Sequence, residues 1–276
     1  MINESDYRLL SRDECKQILL DMFKYFDKLC RDNNINYTLE GGSLIGAIRH
    51  KGMIPWDDDI DIALTIENYR KLLDVIKKID NNGSYKFFIP GETKNYPFPF
   101  LKLINTDTFC QEENMIGEID NYGLFIDIFC LNYAPNDEEE RRKFFKKILF
   151  YNNSLVRRKL NYDNPNFKKK CLRFAKNTYI TIFGYKRMLK RLQTLFNTYS
   201  DTPTDFVMTC NPIYSIEREI LKSSYFKEYT DVDFEDIKAM ATKGYDEMLR
   251  NAFGDYMQLP PEDKRVSHGL KAWIKK

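Results

Sequence analysis

The sequence predicts an α/β (α+β) fold in which a mixed sheet core carries a strongly basic helical insertion. Three observations predict it. Short apolar alternations of period two take turns with amphipathic stretches of helical period. The 276 residues are 43% hydrophobic, enough for one large core domain or a core with a sizeable insertion. The charge is segregated. Residues 141–191 hold 17 Lys+Arg and one acidic residue, Asp163, so the remainder holds 43 − 17 = 26 basic and 41 − 1 = 40 acidic residues, a net −14. These shifts divide the chain into a core over 1–135, a basic helical region over 136–200 and a closing segment over 201–276.

Ser11 and Glu14 are spaced as a capping box. Ile18, Leu19, Met22, Phe23, Phe26, Leu29 and Cys30 then recur at helical spacing, which predicts a helix to about Asp32. Residues 35–40 read as a short strand entering Gly41-Gly42-Ser43, residues 44–50 as a short helix, and Lys51-Gly52 as a turn. Residues 57–64 alternate as a strand, 68–79 as a helix stopped by Asn81-Asn82-Gly83, and 85–89, 98–104 and 124–129 as strands. At least two amphipathic helices are expected in the basic region, near 138–160 and 185–197, and a last helix near 243–252 ending at Gly254.

Composition excludes several classes. An aromatic content of 14%, with 12 Gly and 10 Pro, excludes a disordered or collagen-like chain. No apolar run approaches the ~20 residues that span a bilayer, and the polar start is unlike a signal peptide. The expectation is a cytoplasmic protein, soluble or at most apposed to the inner face of a membrane. Six widely spaced Cys and two His make no zinc pattern and read as reduced thiols.

The chemistry concentrates in residues 41–64, GGSLIGAIRHKGMIPWDDDIDIAL. On a strand, Asp57, Asp59 and Asp61 share one face while Asp58 and Ile60 take the other, and like charges about 7 Å apart beside an apolar core call for a cation between them. Mg²⁺ suits such carboxylates because it completes its shell with water and phosphate oxygens. The competing reading is an exposed acidic turn, which the neighbours Ile54, Trp56, Ile60 and Ile62 disfavour. Gly41-Gly42-Ser43 before a helix allows close backbone approach to an anion. Arg49, His50 and Lys51 read either as cations for a leaving group or as a solvated basic turn. Asp127, mid-strand in Phe125-Ile126-Asp127-Ile128-Phe129, either joins the metal cluster or pairs with a basic residue. Lys102 on an apolar strand either binds phosphate or reaches the surface. Trp56, Tyr96, Phe98, Phe100 and Tyr122 are mostly core, although a quaternary ammonium would want such a cage.

A Gly-Ser turn, an Asp-x-Asp strand and a later strand Asp together resemble the nucleotidyltransferase superfamily. The wording GGSLIGAIRHKGMIPWDDDIDIAL, the later FIDIF and the closing FGDYMQLPPEDKRVSH resemble the LicD family, which includes bacterial phosphocholine transferases and relatives of the animal fukutin-related proteins. The resemblance covers about 37–130 and 245–268. It implies transfer of a phosphoalcohol, phosphocholine first, from a CDP-linked donor to a sugar hydroxyl of a cell-surface glycan precursor such as lipopolysaccharide or teichoic acid, with CMP leaving. It implies that Asp59, Asp61 and Asp127 hold Mg²⁺, that Asp57 supports that cluster or the acceptor, and that Gly42 and Ser43 contact the pyrophosphate. Lys264, Arg265 and His268 match its closing motif, as a clamp on donor phosphates or as a plain basic tail.

Two other functions remain open at this stage: transfer of a nucleoside monophosphate with pyrophosphate release, and a non-catalytic glycan-binding protein at a membrane surface. The basic helices suit anionic lipid headgroups, a lipid-linked glycan acceptor or plain solvation. No nucleic-acid fold supports a nucleic-acid partner.

Overall fold

The computed structural model describes residues 6–79, 83–111, 122–153, 155, 167–265, 267 and 269–276. β1 (Tyr7–Leu9) leads into α1 (Arg12–Asp32), which starts on the capping box: Ser11 Oγ accepts from the Glu14 N–H and the Glu14 carboxylate accepts from the Ser11 N–H. β2 (Thr38–Leu39) enters α2 (Gly41–Ile45), which continues as one π-helical turn over Gly46–His50. Next come β3 (Asp61–Thr65), α3 (Ile66–Ile76), β4 (Tyr85–Phe88), β5 (Leu101–Asn105), β6 (Thr108–Gln111) and the long β7 (Phe125–Ala134). The helices α4 (Glu138–Asn152), α5 (Phe167–Phe183) and α6 (Tyr185–Phe196) follow. The chain closes with β8 (Phe206–Thr209), α7 (Ile216–Glu219), β9 (Leu221–Lys222), β10 (Tyr229–Phe234), β11 (Ile237–Thr242), α8 (Tyr245–Phe253) and β12 (Lys271–Lys275).

The main sheet is mixed, in the order β2-β3-β7-β5-β4, and β7 is its axis. β3 lies parallel along one side of β7; on the other side β5 pairs antiparallel with its first half and β8 with its second, β9 extending from β8. α1 and α3 both pack against β7. The apolar residues of α1 read from the sequence are buried or half-buried, with Met22, Phe23, Phe26 and Cys30 fully enclosed. The β10–β11 hairpin is fastened to α1 and β2 by polar groups: Arg31 bridges Asp27 and Asp231, and Tyr37 Oη donates to Asp27 and accepts from the Met240 N–H. β12 lies between β1 and β6 in a separate three-stranded sheet.

Several elements are shorter than their sequence pattern. The alternation over 57–64 becomes strand only from Asp61, because β2 offers partners to Ile62 and Ala63 and none further back, while the Asp57 N–H closes a turn onto Ile54 O (2.9 Å). The strand expected over 98–104 starts at Leu101, since Pro97 and Pro99 remove two ladder donors. The helix expected over 138–160 ends at Asn152, where the Asn153 side-chain amide donates back to Leu149 O (2.8 Å). No described helix is long and apolar enough to cross a membrane.

The turn ahead of β3 depends on two glycines in contact. A Cβ on Gly46 would stand 2.5 Å from Gly52 O and 3.2 Å from Ile54 N, both backbone atoms that cannot swing aside. Gly46→Ala should therefore cost about 1–3 kcal/mol in denaturant unfolding. Gly83→Ala, with nothing within 4 Å of its Cβ, should leave stability nearly unchanged. Equal midpoints for the two variants would show that the turn tolerates the methyl.

Candidate active site

Adjacent parallel strands bring two carboxylates together. Asp61 opens β3 and Asp127 is the third residue of β7, and the two are direct register partners. Asp127 is in turn opposite Lys102 of β5. Residues directly opposite one another point to the same face, so Lys102, Asp127 and Asp61 make a transverse row. Ahead of β3 the chain stays extended outside the ladder and keeps its alternation. Asp57, Asp59, Asp61 and Asp127 all line one cavity of about 420 Å³, whose walls include Phe129, Leu131, Tyr214, Met248 and Phe253. Asp58 turns the other way, where its Oδ2 accepts from Ser267 Oγ (3.0 Å) and the Leu270 N–H (3.1 Å).

The glycine turn abuts this cavity. The Glu40 N–H donates to Asp61 O (3.0 Å), which leaves the following residues against the carboxylates. Gly41 has φ +54°, a left-handed conformation suited to glycine. A Cβ on Gly42 would come within 2.6 Å of Asp57 Oδ2. Gly42 lines the cavity; Ser43 does not. Ser43 is buried, and its Oγ accepts from the Asp61 N–H (2.9 Å), so it fixes the start of β3.

The electrostatics follow from crowding. Six of the described lining residues are acidic: Glu40, Asp57, Asp59, Asp61, Asp127 and Glu219. Arg218 is the one cation among them. Burial first, then repulsion from Asp57 and Asp127, pushes Asp59 up to about 8. Burial and the charges of Asp59, Asp127 and Glu40 hold Asp61 well above the usual carboxylate range. Glu40 is pushed up to about 8 by burial and by Glu219, and its Oε2 is enclosed without a hydrogen-bond partner. The Glu219 pKa is also raised by burial, although its Oε1 accepts from the Ile213 and Tyr214 N–H groups (2.7 and 2.6 Å).

Glu40, Arg218 and Glu219 were not singled out from the sequence. Glu40 had a readable signal, a charge ending an apolar strand directly before Gly41-Gly42. Arg218 and Glu219 lie more than 150 residues further on and reach the cavity only through α7. The Arg218 guanidinium carbon is 4.1 Å from the Tyr214 ring centroid and 5.3 Å from that of Phe253, with Nε enclosed and without a partner.

The other residues singled out from the sequence lie away from the lining. Lys102 is buried, not at the surface: its side chain is 2% exposed and Nζ is 2.5 Å from Asp127 Oδ1. The Phe125 centroid lies 3.3 Å from that Nζ, with Phe98, Phe100 and Tyr122 around it. Phe98, Phe100 and Tyr122, three of the five aromatics considered for a ligand cage, thus surround the chain's own ammonium. Asp127 accordingly has the basic partner that was one of its two expected fates, while one edge of it still faces the cavity. Arg49 is spent on backbone carbonyls, donating to Tyr256 O (2.6 Å) and Gln258 O (3.2 Å), and its Nε donates to His50 Nε2. His50 lies edge-on to Trp56, and burial with the nearby Arg49 lowers its pKa. Arg265 stacks on the other side of the same motif, 5.3 Å from the Trp56 centroid, and donates to Pro260 O (2.9 Å). Lys264 is exposed, and His268 lies outside the described residues.

The donor set is all hard oxygen. Among the described residues no three His, Cys, Asp or Glu side chains form a ready-made metal cage. Mg²⁺ takes one or two carboxylates and fills the rest of its octahedron with water and phosphate, so an open carboxylate pair in a cavity fits it better than a closed cage. Asp61 and Asp127, held in register at the cavity, are such a pair.

Two outcomes test this electrostatic picture. Lys102→Met leaves a buried carboxylate without its cation and should cost about 3–5 kcal/mol in urea unfolding, with Asp127→Asn added to it recovering part of the loss. A cost below about 1 kcal/mol would show that the pair is energetically idle. In chelator, thermal stability should fall as pH rises. Asp59 and Glu40 keep their protons in the folded chain up to about 8 but lose them in the ordinary carboxylate range when unfolded. The native state then binds more protons, so the contribution of these two groups is full below the ordinary carboxylate range and is lost as pH climbs to about 8. Asp59→Asn should flatten that slope, and a melting temperature that rises over the same range would contradict the assignment.

Comparison with known proteins agrees with this geometry. The family described as LicD/FKTN/FKRP, nucleotidyltransferase domain, matches residues 34–153. The lipopolysaccharide cholinephosphotransferase LicD of Haemophilus influenzae is 27% identical over 270 residues, 95% of this chain and 97% of that protein. The ribitol 5-phosphate transferases FKRP of Mus musculus and Homo sapiens are each 39% identical over 54 residues, 20% of this chain and 11% of theirs. The glycine turn, the alternating aspartates and the β7 carboxylate all fall inside the segment that matches the LicD/FKTN/FKRP nucleotidyltransferase family.

Proposed function

We propose that this chain is a transferase that moves a phosphoalcohol, phosphocholine first, from a CDP-linked donor to a sugar hydroxyl of a cell-surface glycan precursor. The observation that carries the reading is the cavity in which Asp57, Asp59, Asp61 and Asp127 converge beside Gly42, within a LicD-family domain. Likeness to a lipopolysaccharide cholinephosphotransferase along nearly the whole chain supports phosphocholine over other alcohols. The local likeness to ribitol 5-phosphate transferases supports the broader class.

Asp59, Asp61 and Asp127 would hold the metal. Bound there, Mg²⁺ would supply positive charge that neutralises the charge developing on the donor phosphates. Gly42, lacking a side chain, lets the Asp57 carboxylate lie against the backbone of the glycine turn, since a Cβ there would stand 2.6 Å from Asp57 Oδ2. Arg218, held against the Tyr214 and Phe253 rings, would supply the donor phosphates with the cation that this acidic wall otherwise lacks. The acceptor oxygen attacks the phosphorus that bears the alcohol and the bond from that phosphorus to the CMP oxygen breaks. The hydroxyl proton passes to Asp57, the cavity aspartate not assigned to the metal.

Incubation with CDP-choline, CDP-ethanolamine or CDP-ribitol, Mg²⁺ and a glycan acceptor should release CMP. Asp59→Asn or Asp61→Asn should lower turnover at least about a hundredfold while the circular dichroism spectrum stays native. Full activity in either variant would remove that residue from the site. Pyrophosphate released from CTP, with no CMP from any CDP-alcohol, would replace phosphoalcohol transfer by nucleotidyl transfer.

A further inference from the structure

The reaction leaves the basic helical region unused. Between α4 and α6 the surface opens into a groove of about 900 Å³ whose described lining includes Lys146, Lys147, Arg187, Lys190 and Arg191 and no carboxylate. Phe150, 51% exposed, lies in the same lining. Its ring is 6.2 Å from that of Tyr179, which ties the groove to α5.

α5 presents the second half of the surface. Phe167, Cys171, Phe174, Thr178 and Ile182 follow spacings of 4, 3, 4 and 4, one stripe of a helix, and all five are exposed. Phe167, Phe174 and Ile182 are 76%, 63% and 69% exposed, unusual for side chains of that size. The hydroxyl of Thr178 donates back to Phe174 O (3.0 Å), so the one polar group on the stripe is satisfied within the helix.

We propose that α5 and the adjoining cationic groove dock the protein on an anionic bilayer, with the helix lying in the headgroup plane. Its apolar stripe enters the acyl boundary while the groove gathers lipid phosphates. Charge complementarity selects this occupant. A second copy of the chain would bring two cation-lined faces together, and a water-soluble polyanion would leave the phenylalanines and Ile182 in water. The surface is independent of the reaction proposed above.

Co-sedimentation of the full chain with vesicles tests it. Vesicles of phosphatidylglycerol and phosphatidylcholine in equal parts should bind the protein at about 50 mM salt and release most of it at about 500 mM, whereas pure phosphatidylcholine should bind at least tenfold less. Phe174→Ser with Ile182→Ser, and separately Lys190→Glu with Arg191→Glu, should each lower binding at least tenfold, with native circular dichroism spectra as the folding check. Equal binding to both vesicle types would overturn the proposal. So would binding of inorganic polyphosphate without binding of vesicles, or a dimer that the Phe174→Ser, Ile182→Ser variant splits.

Discussion

Everything at the cavity depends on one cross-strand row: Lys102, Asp127 and Asp61 side by side on β5, β7 and β3. Two carboxylates in parallel register, both largely withdrawn from water, cannot be ionised together without positive charge nearby. Lys102 supplies it from one end, its ammonium enclosed by four aromatic rings, paired with Asp127 and also lowering the Asp61 pKa against the stronger effects that raise it. At the other end Asp61 is joined by Asp59 and Glu40, each pushed toward its neutral form, with Arg218 the one cation among the described lining residues. The row is therefore polarised, neutralised beneath and acidic toward the cavity, which makes the open end a place for a divalent cation and its phosphates.

The surrounding architecture preserves that polarity. Ser43 and Glu40 both bond to the backbone of Asp61, so the glycine turn and the first residue of β3 move as a unit. Asp58, the one aspartate turned outward, anchors the segment after Ser267, and Arg12 from α1 donates to Asp57 O. Glu235 at the tip of the β10–β11 hairpin takes the Met53 N–H and the Lys16 ammonium, bracing the turn from outside. The basic residues near the motif behave likewise. Arg49 and Arg265 knit the loop around residues 256–260 to the π-turn and Trp56, which shapes the rim and leaves the cavity itself acidic.

Much of this was legible in the sequence, for reasons that differ by element. The Ser11–Glu14 box and the apolar period of α1 are local signals, and the structure reproduces both. The alternation of Asp57, Asp59 and Asp61 was readable because an extended chain alternates its faces whether or not it pairs in a ladder; only the start of the strand was misjudged. The partner of Asp127 was not legible. Lys102 is 25 residues away, and nothing in an apolar strand says which neighbour it will meet across the sheet. Arg218 and Glu219 were hidden for the same reason, arriving through a single-turn helix after the whole basic region. α5 was missed because lysines and arginines scattered around it blur its apolar stripe in a linear reading, and the β10–β11 hairpin because charged residues fill its exposed positions.

The central claim is that the open end of the row binds a diphosphate through a divalent cation. Calorimetric titration of CDP-choline into the protein, with Mg²⁺ and again with chelator, tests it most directly. The account predicts saturable binding with Mg²⁺ that disappears in chelator and in Asp61→Asn. Binding of equal strength in chelator would contradict it, because a wall with six acidic residues would then be accepting a diphosphate on Arg218 with no divalent cation.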